Sequence, residues 1–184
     1  MKIKLSHAQH IANKIAIDIF KSGLVTLNKG LEPVAKIAED LIVEDVQKET
    51  ALEQKVSEIL EENEDEMEFQ RVDRKSMFWL IKKKLAKEYG VVLSYEDRYN
   101  DLAHRILQTS WKGNLLDYSV SENRAKNIIY GAIEEYLQNF EGIEEVVAEK
   151  ISHYKKKPAQ GSEEYDLIFD KLYEEELRKR GMML

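Results

Sequence analysis

Apolar residues recur at intervals of three and four through most of this chain. The first such set is Ile11, Ala12, Ile15, Ala16 and Ile19, and the second is Val34, Ile37, Ala38, Leu41, Ile42 and Val46. Residues spaced in this way share one side of an α-helix, so each set predicts an amphipathic helix. Ser6 and Gln9 have the spacing of a capping box before the first helix, and Gly23 is placed to end it.

The regular spacing of the apolar residues is interrupted near Glu49, which predicts that the helix breaks there. Thr50 and Glu53 form a second capping-box pattern, which predicts a new helix carrying Leu52, Val56, Ile59 and Leu60. Further helices are predicted over 71–90, from Ser94 to Trp111, from Ser119 onward with Glu122 completing a capping box, and from Ser162 to Gly181. The chain is therefore predicted to be all-α, with at most a short strand at 24–27 or 115–118.

Two stretches about ninety residues apart resemble each other: FKSGLVTLNKG at 20–30 and WKGNLLDYSVS at 111–121. Around them Ala12, Ile15, Lys21 and Leu24 recur as Ala103, Ile106, Lys112 and Leu115. The shared order of caps, breaks and glycines predicts that Gly90 and Gly181 end equivalent helices in a left-handed conformation. We interpret this as a duplication, with one helical half at 1–93 and the other at 94–184, either as two units or as one continuous domain.

Three motifs are specific enough to indicate a family: VLSYEDR at 92–98, DYSVSENR at 117–124 and LYEEELRKRGM at 172–182. With the sequence around them, the chain resembles the bacterial family catalogued as domain of unknown function 507, and the likeness covers nearly the whole chain. The resemblance implies an all-α protein with an elongated, branched helical shape. It provides no catalytic residues to carry over.

The composition agrees with long helices and argues against several classes of function. The 184 residues include 8 Gly, 2 Pro and no Cys, which excludes disulfides, cysteine-based zinc sites and thiol nucleophiles. The formal net charge of −7 argues against broad binding to phosphate backbones. No apolar run approaches the length of a membrane span, and the first ten residues lack a signal peptide's apolar core. We therefore expect a cytoplasmic protein without membrane contact.

The histidines are weak candidates for a metal site. His7 and His10 lie three positions apart, close enough to share a metal ion, but no third ligand is visible near them. We interpret both as part of an exposed first helical turn, and His104 and His153 as surface residues. The sequence lacks a nucleophile elbow, a phosphate-binding loop and a dinucleotide fingerprint. We therefore predict no catalytic residue, no cofactor and no metal.

Charged runs are open to both a functional and a structural interpretation. The acidic run from Glu58 to Glu68 could bind a basic partner, but we favour its pairing with the basic residues of the following helix. Those residues are Arg71, Arg74, Lys75, Lys82, Lys83, Lys84 and Lys87. The triplets Lys82–Lys84 and Lys155–Lys157, with Trp79 and Tyr154 nearby, could contact RNA, but we favour a solvated helix surface.

The two connectors are too apolar for free loops and contain the candidate partner-docking residues. These are Phe20, Leu24, Val25, Trp111, Leu115, Leu116 and Tyr118, called the connector surface below. We favour burial of Phe20, Leu24, Trp111 and Leu115 within the same chain, with Val25 and Tyr118 at the margin. The alternative is a docking patch, because exposed aromatic residues make good anchors for a partner.

Together these observations favour a non-enzymatic helical interaction or scaffold protein. Its partner would be another protein or a second copy of the chain, since the charge balance disfavours nucleic acid. One alternative is a protein associated with RNA or the ribosome through local basic patches. A further alternative is an enzyme with an unrecognised site, which the fold class alone does not exclude.

Overall fold

The computed structural model describes residues 2–154, 158–159 and 162–182, and helix dominates them. The helices are a 3₁₀ turn at Leu5–His7, α1 (Ala8–Ser22), α2 (Leu31–Glu62), α3 (Glu64–Phe69), α4 (Arg74–Leu85), α5 (Tyr95–Lys112), α6 (Glu122–Ser152) and α7 (Glu163–Lys179). Two short strands are β1 (Val25–Leu27) and β2 (Leu116–Tyr118). Helix makes up 76% of the structure, which confirms the predicted all-α class.

The main core forms where α1 packs against α2 and α6. Helix α5 packs against both long helices, and α7 folds back on α6. Large side chains that are fully buried in this core include Ile11, Ile15, Ile42, Ile106 and Ile129. Burying each of them stabilises the fold by roughly 1.5–3 kcal/mol relative to exposure. Because these residues come from both sides of residue 93, the two predicted halves contribute to one apolar cluster.

Helix α2 is continuous, so the predicted break near Glu49 is wrong. The hydroxyl of Thr50 donates a hydrogen bond to the carbonyl of Val46 (2.9 Å), four residues back within the helix, and does not cap a new one. The phase shift has another cause, which is a change of packing partner along α2. Its first part contacts the main core, whereas Leu52, Val56 and Leu60 pack in a second cluster with α4 and the segment after it.

The strands form a small antiparallel ribbon between the two connectors. Val25 lies opposite Tyr118, Thr26 opposite Asp117, and Leu27 opposite Leu116. In both strands the first residue is buried and the second is exposed. The ribbon confirms that strand structure is limited, within the described residues, to the two short segments that the sequence indicated.

Several helix ends agree with the sequence, and others do not. Gly90 and Gly181 have φ of 65° and 68°, which confirms their left-handed conformation. Ser94 and Ser162 cap α5 and α7 as predicted. Ser119 does not cap α6, because Ser121 accepts the hydrogen bond from the Arg124 amide instead (3.3 Å).

The start of the chain also departs from the prediction. Ser6 does not cap α1, which begins at Ala8 after the 3₁₀ turn. The ring Nδ1 of His7 accepts a hydrogen bond from the Lys4 amide (3.2 Å), and the His7 amide donates to the Lys4 carbonyl (3.0 Å). A histidine side chain therefore organises the turn that the sequence assigned to a serine.

The order of elements is similar before and after residue 93. A helix, a short strand and a long helix follow one another as α1, β1 and α2, and again as α5, β2 and α6. With the two stretches aligned as in the sequence, Thr26 and Asp117 are equivalent, and they also lie opposite each other in the ribbon. This arrangement agrees with an internal two-fold relation. The duplication and the division at 93/94 remain predictions.

Candidate partner-docking surface

The two connectors lie side by side and are tied together by hydrogen bonds. The Asn28 amide donates to the Leu115 carbonyl (2.9 Å), which extends the ribbon by one residue. The Asn28 side-chain nitrogen donates to the carbonyl of Asn114 (3.2 Å) and to a carboxylate oxygen of Asp117 (3.1 Å). Asn114 has φ of 55°, a left-handed conformation that asparagine tolerates better than most residues. The connectors are therefore joined to each other by both backbone and side-chain hydrogen bonds.

Phe20 and Trp111 are exposed, which contradicts the expectation that they are buried. The exposed fraction is 64% for Phe20 and 49% for Trp111, and neither belongs to the core cluster. Each lies in the last turn of its helix, close to the point where the chain leaves α1 or α5 for the ribbon. The prediction that these two side chains are buried is therefore wrong, and their apolar rings form part of the surface.

The other residues of the connector surface are buried to different extents. Val25 and Leu116 are buried in the main core, so Val25 lies deeper than expected. Leu24 is half-buried, and Leu115 and Tyr118 are half-buried against the edge of that core. The large side chains of the connector surface that are exposed to solvent are therefore Phe20 and Trp111.

A buried ionic network joins α2, α4 and α5, and no sequence motif indicated it. Lys82 Nζ lies 2.9 Å from a carboxylate oxygen of Glu49 and 2.7 Å from one of Glu53. Arg98 donates to Asp45 (2.7 Å) and to Glu49 (2.6 Å). The only signals in the sequence were charged residues at positions facing the core. In a chain with 34% charged residues, those positions did not stand out.

The network shifts the pKa values of its members in directions set by burial and by partners. Burial raises the pKa of Glu49, but hydrogen bonds from Lys82 and Arg98 outweigh it and lower that pKa overall. For Lys82, burial lowers the pKa, and hydrogen bonds from its ammonium to Glu49 and Glu53 raise it overall. For Asp45, burial dominates over the contacts with Arg98, and its pKa is raised. Glu49 is thus the carboxylate that two cations hold in its charged form.

His7 is buried, so its interpretation as an exposed residue is wrong. Its ring packs on Phe140 with 4.0 Å between the ring centroids and lies 5.8 Å from Tyr136. Burial first, and then the charges of Lys4 and His10, lower the pKa of His7 to about 4. His10 is half-buried beside Tyr173, and burial lowers its pKa as well. Both rings are therefore uncharged near neutral pH and pack against aromatic side chains.

The acidic run is paired much less with α4 than the sequence suggested. Within the described residues, the ion pairs of this run are Glu58 with Lys55 (3.2 Å) and Glu64 with Arg74 (3.4 Å), and all four side chains are exposed. Lys82 instead belongs to the buried network. The expected pairing is therefore limited to one contact between the run and α4.

The two lysine triplets have different environments. In the first, Lys82 is buried, while Lys83 and Lys84 are exposed on the outer side of α4. The second triplet, Lys155–Lys157, lies outside the described residues. Lys83 and Lys84 are therefore the lysines of the first triplet that could contact a partner, and they lie on the outer side of α4.

A cleft between α5 and α6 has none of the connector residues in its lining. The cleft, of about 610 Å³, is lined by tyrosines of these two helices, including Tyr95 and Tyr130. A hydrogen bond to Glu134 raises the pKa of Tyr130 to about 12.

Among the described residues, no cluster of three or more His, Asp or Glu side chains is arranged to hold a metal ion. None of the described helices combines the length and apolar character needed to cross a bilayer.

The comparison with protein families agrees with the motifs at 92–98, 117–124 and 172–182. The profile of the family described as "Protein of unknown function (DUF507)" matches residues 1–182. The chain belongs to the DUF507 family. No curated protein shows significant similarity to it. The family assignment extends over both predicted halves, so the ribbon and both connectors lie within the family's own region.

Proposed function

We propose that the protein is a non-enzymatic helical interaction protein that docks a partner protein through the connector surface. The observation that carries this proposal is the exposure of Phe20 and Trp111, at corresponding positions of the two connectors. A large aromatic side chain on a fixed backbone provides much contact area at a low cost in conformational entropy. Such residues are typical anchors of protein interfaces.

The backbone around these two residues supports the proposal. Ile19, beside Phe20, is buried, and Ser110, beside Trp111, is buried as well, so both helix ends are held against the rest of the molecule. The ribbon and the Asn28 hydrogen bonds fix the connectors relative to each other. A partner would therefore meet two anchors already held in place, which reduces the entropy lost on binding.

A pull-down from lysate tests this function. The tagged protein would be compared with the double variant Phe20→Ser/Trp111→Ser, at low and at high salt. We expect a specific protein that is retained at high salt and lost from the double variant, because apolar anchors depend little on ionic strength. The control is Leu167→Ser, which removes another exposed apolar side chain, 67% exposed, on α7. If both variants retain the same proteins as the parent chain, the proposed docking role is wrong.

A second candidate function, binding to RNA or the ribosome, is favoured by the outer side of α4. Lys83 and Lys84 are exposed there, close in the sequence to Trp79, whose ring is about half exposed. Lysines beside an aromatic ring are able to contact phosphates and a stacked base. The test is whether nucleic acid co-purifies with the protein at low salt. Release of that nucleic acid at high salt, and its absence from the variant Lys83→Glu/Lys84→Glu, would support this function over protein docking.

The cytoplasm, expected from the sequence, is the compartment we propose for this interaction. A fluorescent fusion of the full chain tests it, since a cytoplasmic protein would fill the cell interior evenly. Signal confined to the cell envelope would contradict this part of the proposal and leave the docking test unaffected.

A further inference from the structure

The cleft between α5 and α6 brings aromatic rings and carboxylates together. Tyr95, Glu96 and Tyr99 line it from the first turns of α5, and Tyr130 and Glu134 line it from α6. Its volume of about 610 Å³ is in the range of clefts that hold small molecules. The connector surface and the lysines of α4 contribute no residue to its lining. The cleft is therefore a separate feature of the molecule, and the docking function does not use it.

Two of the three tyrosines in the cleft are only half-buried. These are Tyr95 and Tyr130, whereas Tyr99 is buried and its hydroxyl accepts a hydrogen bond from the Ile3 amide (3.1 Å). Tyr95 stacks on Tyr99, with 5.7 Å between the ring centroids and 19° between the ring planes. Tyr95 and Tyr130 are therefore the rings that a ligand in the cleft could reach. The face of a tyrosine ring is negatively polarised and attracts cations.

The two carboxylates of the cleft form no ion pair within the described part of the chain. Glu135 pairs with Lys14 (2.8 Å), whereas its neighbour Glu134 accepts a hydrogen bond from the Tyr130 hydroxyl (2.8 Å). Glu96 lies in the first turn of α5. The hydrogen bond to Glu134 and burial, followed by the charges of Glu134 and Glu96, raise the pKa of Tyr130. The cleft therefore has negative charge close to an aromatic ring.

The buried ionic network near Tyr95 adds little net charge to the cleft. Burial raises the pKa of Tyr95, and charges of the network act on this pKa in both directions. With Lys2 included, the network holds as many cations as carboxylates: Lys2, Lys82 and Arg98 against Asp45, Glu49 and Glu53. Since these charges compensate one another, the negative charge of Glu96 and Glu134 sets the character of the cleft.

Tyrosine rings beside carboxylates favour one class of ligand over other cations. A hard metal ion requires several oxygen ligands and gains little from a ring. An unmodified ammonium group is strongly hydrated, so much of its attraction to the cleft would be spent on removing water. An alkylated ammonium group combines a positive charge with apolar methyl groups. Its methyl groups can pack on the rings while the rings and the carboxylates both attract its charge.

We propose that the cleft between α5 and α6 binds an organic cation through an alkylated ammonium group, which lies against Tyr95 and Tyr130. Glu96 and Glu134 provide the opposite charge. A free small molecule and a methylated lysine side chain share this group, and the experiment below distinguishes them. The site lies outside the connector surface, so it goes beyond the docking function and is tested separately from it.

The test is isothermal titration calorimetry of the full chain at constant ionic strength. Choline is the charged probe, and 3,3-dimethylbutanol, which has the same shape without the charge, is its neutral match. We expect saturable binding of choline, with the neutral compound at least about tenfold weaker, because the charge provides much of the attraction. Tyr130→Leu and Glu134→Gln should each weaken choline binding at least about fivefold. Tyr130→Phe should bind about as well as the parent chain, since it keeps the ring.

The matched controls are Tyr154→Leu and Glu145→Gln, which make the same chemical changes at exposed positions outside the cleft. We expect both to bind choline like the parent chain. Should Tyr130→Leu lose its helical circular dichroism, Glu134→Gln decides, because Glu134 is exposed and the change is conservative.

A second titration uses a peptide that carries trimethyllysine. Tighter binding of this peptide than of choline would assign the site to a modified protein, and the reverse would assign it to a free small molecule; both results support the site. The proposal is overturned if neither probe binds saturably, or if the neutral compound binds as tightly as choline. It is also overturned if the control variants are as weak as Tyr130→Leu and Glu134→Gln.

Discussion

Lys82 and Glu49 form an ion pair across 2.9 Å between α4 and α2, and each side chain is only 3% exposed. Removing two charges from water is costly, and this cost is offset here because each group has a second partner of opposite charge. Lys82 also contacts Glu53, and Glu49 also contacts Arg98. A buried network of this kind fixes the position of α4 on α2, since any shift would leave a charge unpaired.

Lys82→Met should therefore destabilise the protein considerably. The substitution keeps most of the apolar stem but removes the cation, so the carboxylates of Glu49 and Glu53 lose a partner while still partly buried. We expect the free energy of unfolding to fall by about 3 kcal/mol, measured by urea denaturation. The control is Lys83→Met, at the exposed neighbouring position, where a change within about 0.5 kcal/mol is expected. Equal stability of the two variants would show that the network contributes little.

His7 should make the stability of the fold depend on pH below neutrality. Its pKa is lowered to about 4 by burial and by the charges of Lys4 and His10, whereas the model-compound value is 6.5. Between these values the unfolded chain binds a proton that the folded chain does not, so stability should fall as the pH drops from 6.5 to about 4. Replacing His7 by Phe removes the titrating group and keeps a ring on Phe140, but it gives up the hydrogen bond from the Lys4 amide at every pH. The variant should lose less stability over this interval than the parent chain.

The measurement is urea denaturation of both proteins at several pH values between 7 and 4. His153→Gln serves as the control, since it removes a histidine that is exposed. Parallel curves for the parent chain and His7→Phe would mean that His7 does not titrate differently in the folded state.

Two glycines should respond to alanine in opposite ways. Gly90 has φ of 65° and no heavy atom within 4 Å of an added Cβ, so the cost of Gly90→Ala arises from backbone conformation alone. We expect a loss of about 1 kcal/mol, because a side chain disfavours the left-handed region. Gly131 lies exposed within α6 with equally open space, and Gly131→Ala should stabilise by about 0.5–1 kcal/mol. Thermal unfolding of the two variants measures both signs, and equal shifts would contradict the assignment.

The sequence predicted local features well and packing partners poorly. Gly90, Ser94 and Ser162 could be assigned because a left-handed glycine or a capping serine depends on its immediate neighbours. The predicted break in α2 failed because an apolar phase shift has two causes, a helix end or a new packing partner, and only three-dimensional contacts distinguish them. Thr50 and Glu53 have capping-box spacing by coincidence within a continuous helix.

The candidate site was harder to predict for a related reason. Hydrophobicity indicates that a residue avoids water, but it does not specify which surface covers it. Val25 and Leu116 are covered by the chain's own core, whereas Phe20 and Trp111, of similar character, are not. The Lys82–Glu49 pair was missed for the opposite reason, since charged residues are usually exposed and their burial depends on partners far away in the sequence.

The connector surface provides the last prediction, which separates stability from binding at two nearby positions. Leu116 is fully buried in the core, so Leu116→Ala should leave a cavity and lower the free energy of unfolding by about 2–5 kcal/mol. Trp111 is half exposed and lies outside that core, so Trp111→Ala should change the free energy of unfolding by less than about 1 kcal/mol. In a pull-down normalised to folded protein, Leu116→Ala should retain the partner of the connector surface and Trp111→Ala should lose it. A large loss of stability in Trp111→Ala would instead mean that its ring is covered by the chain itself, and the docking role would then have to be given up.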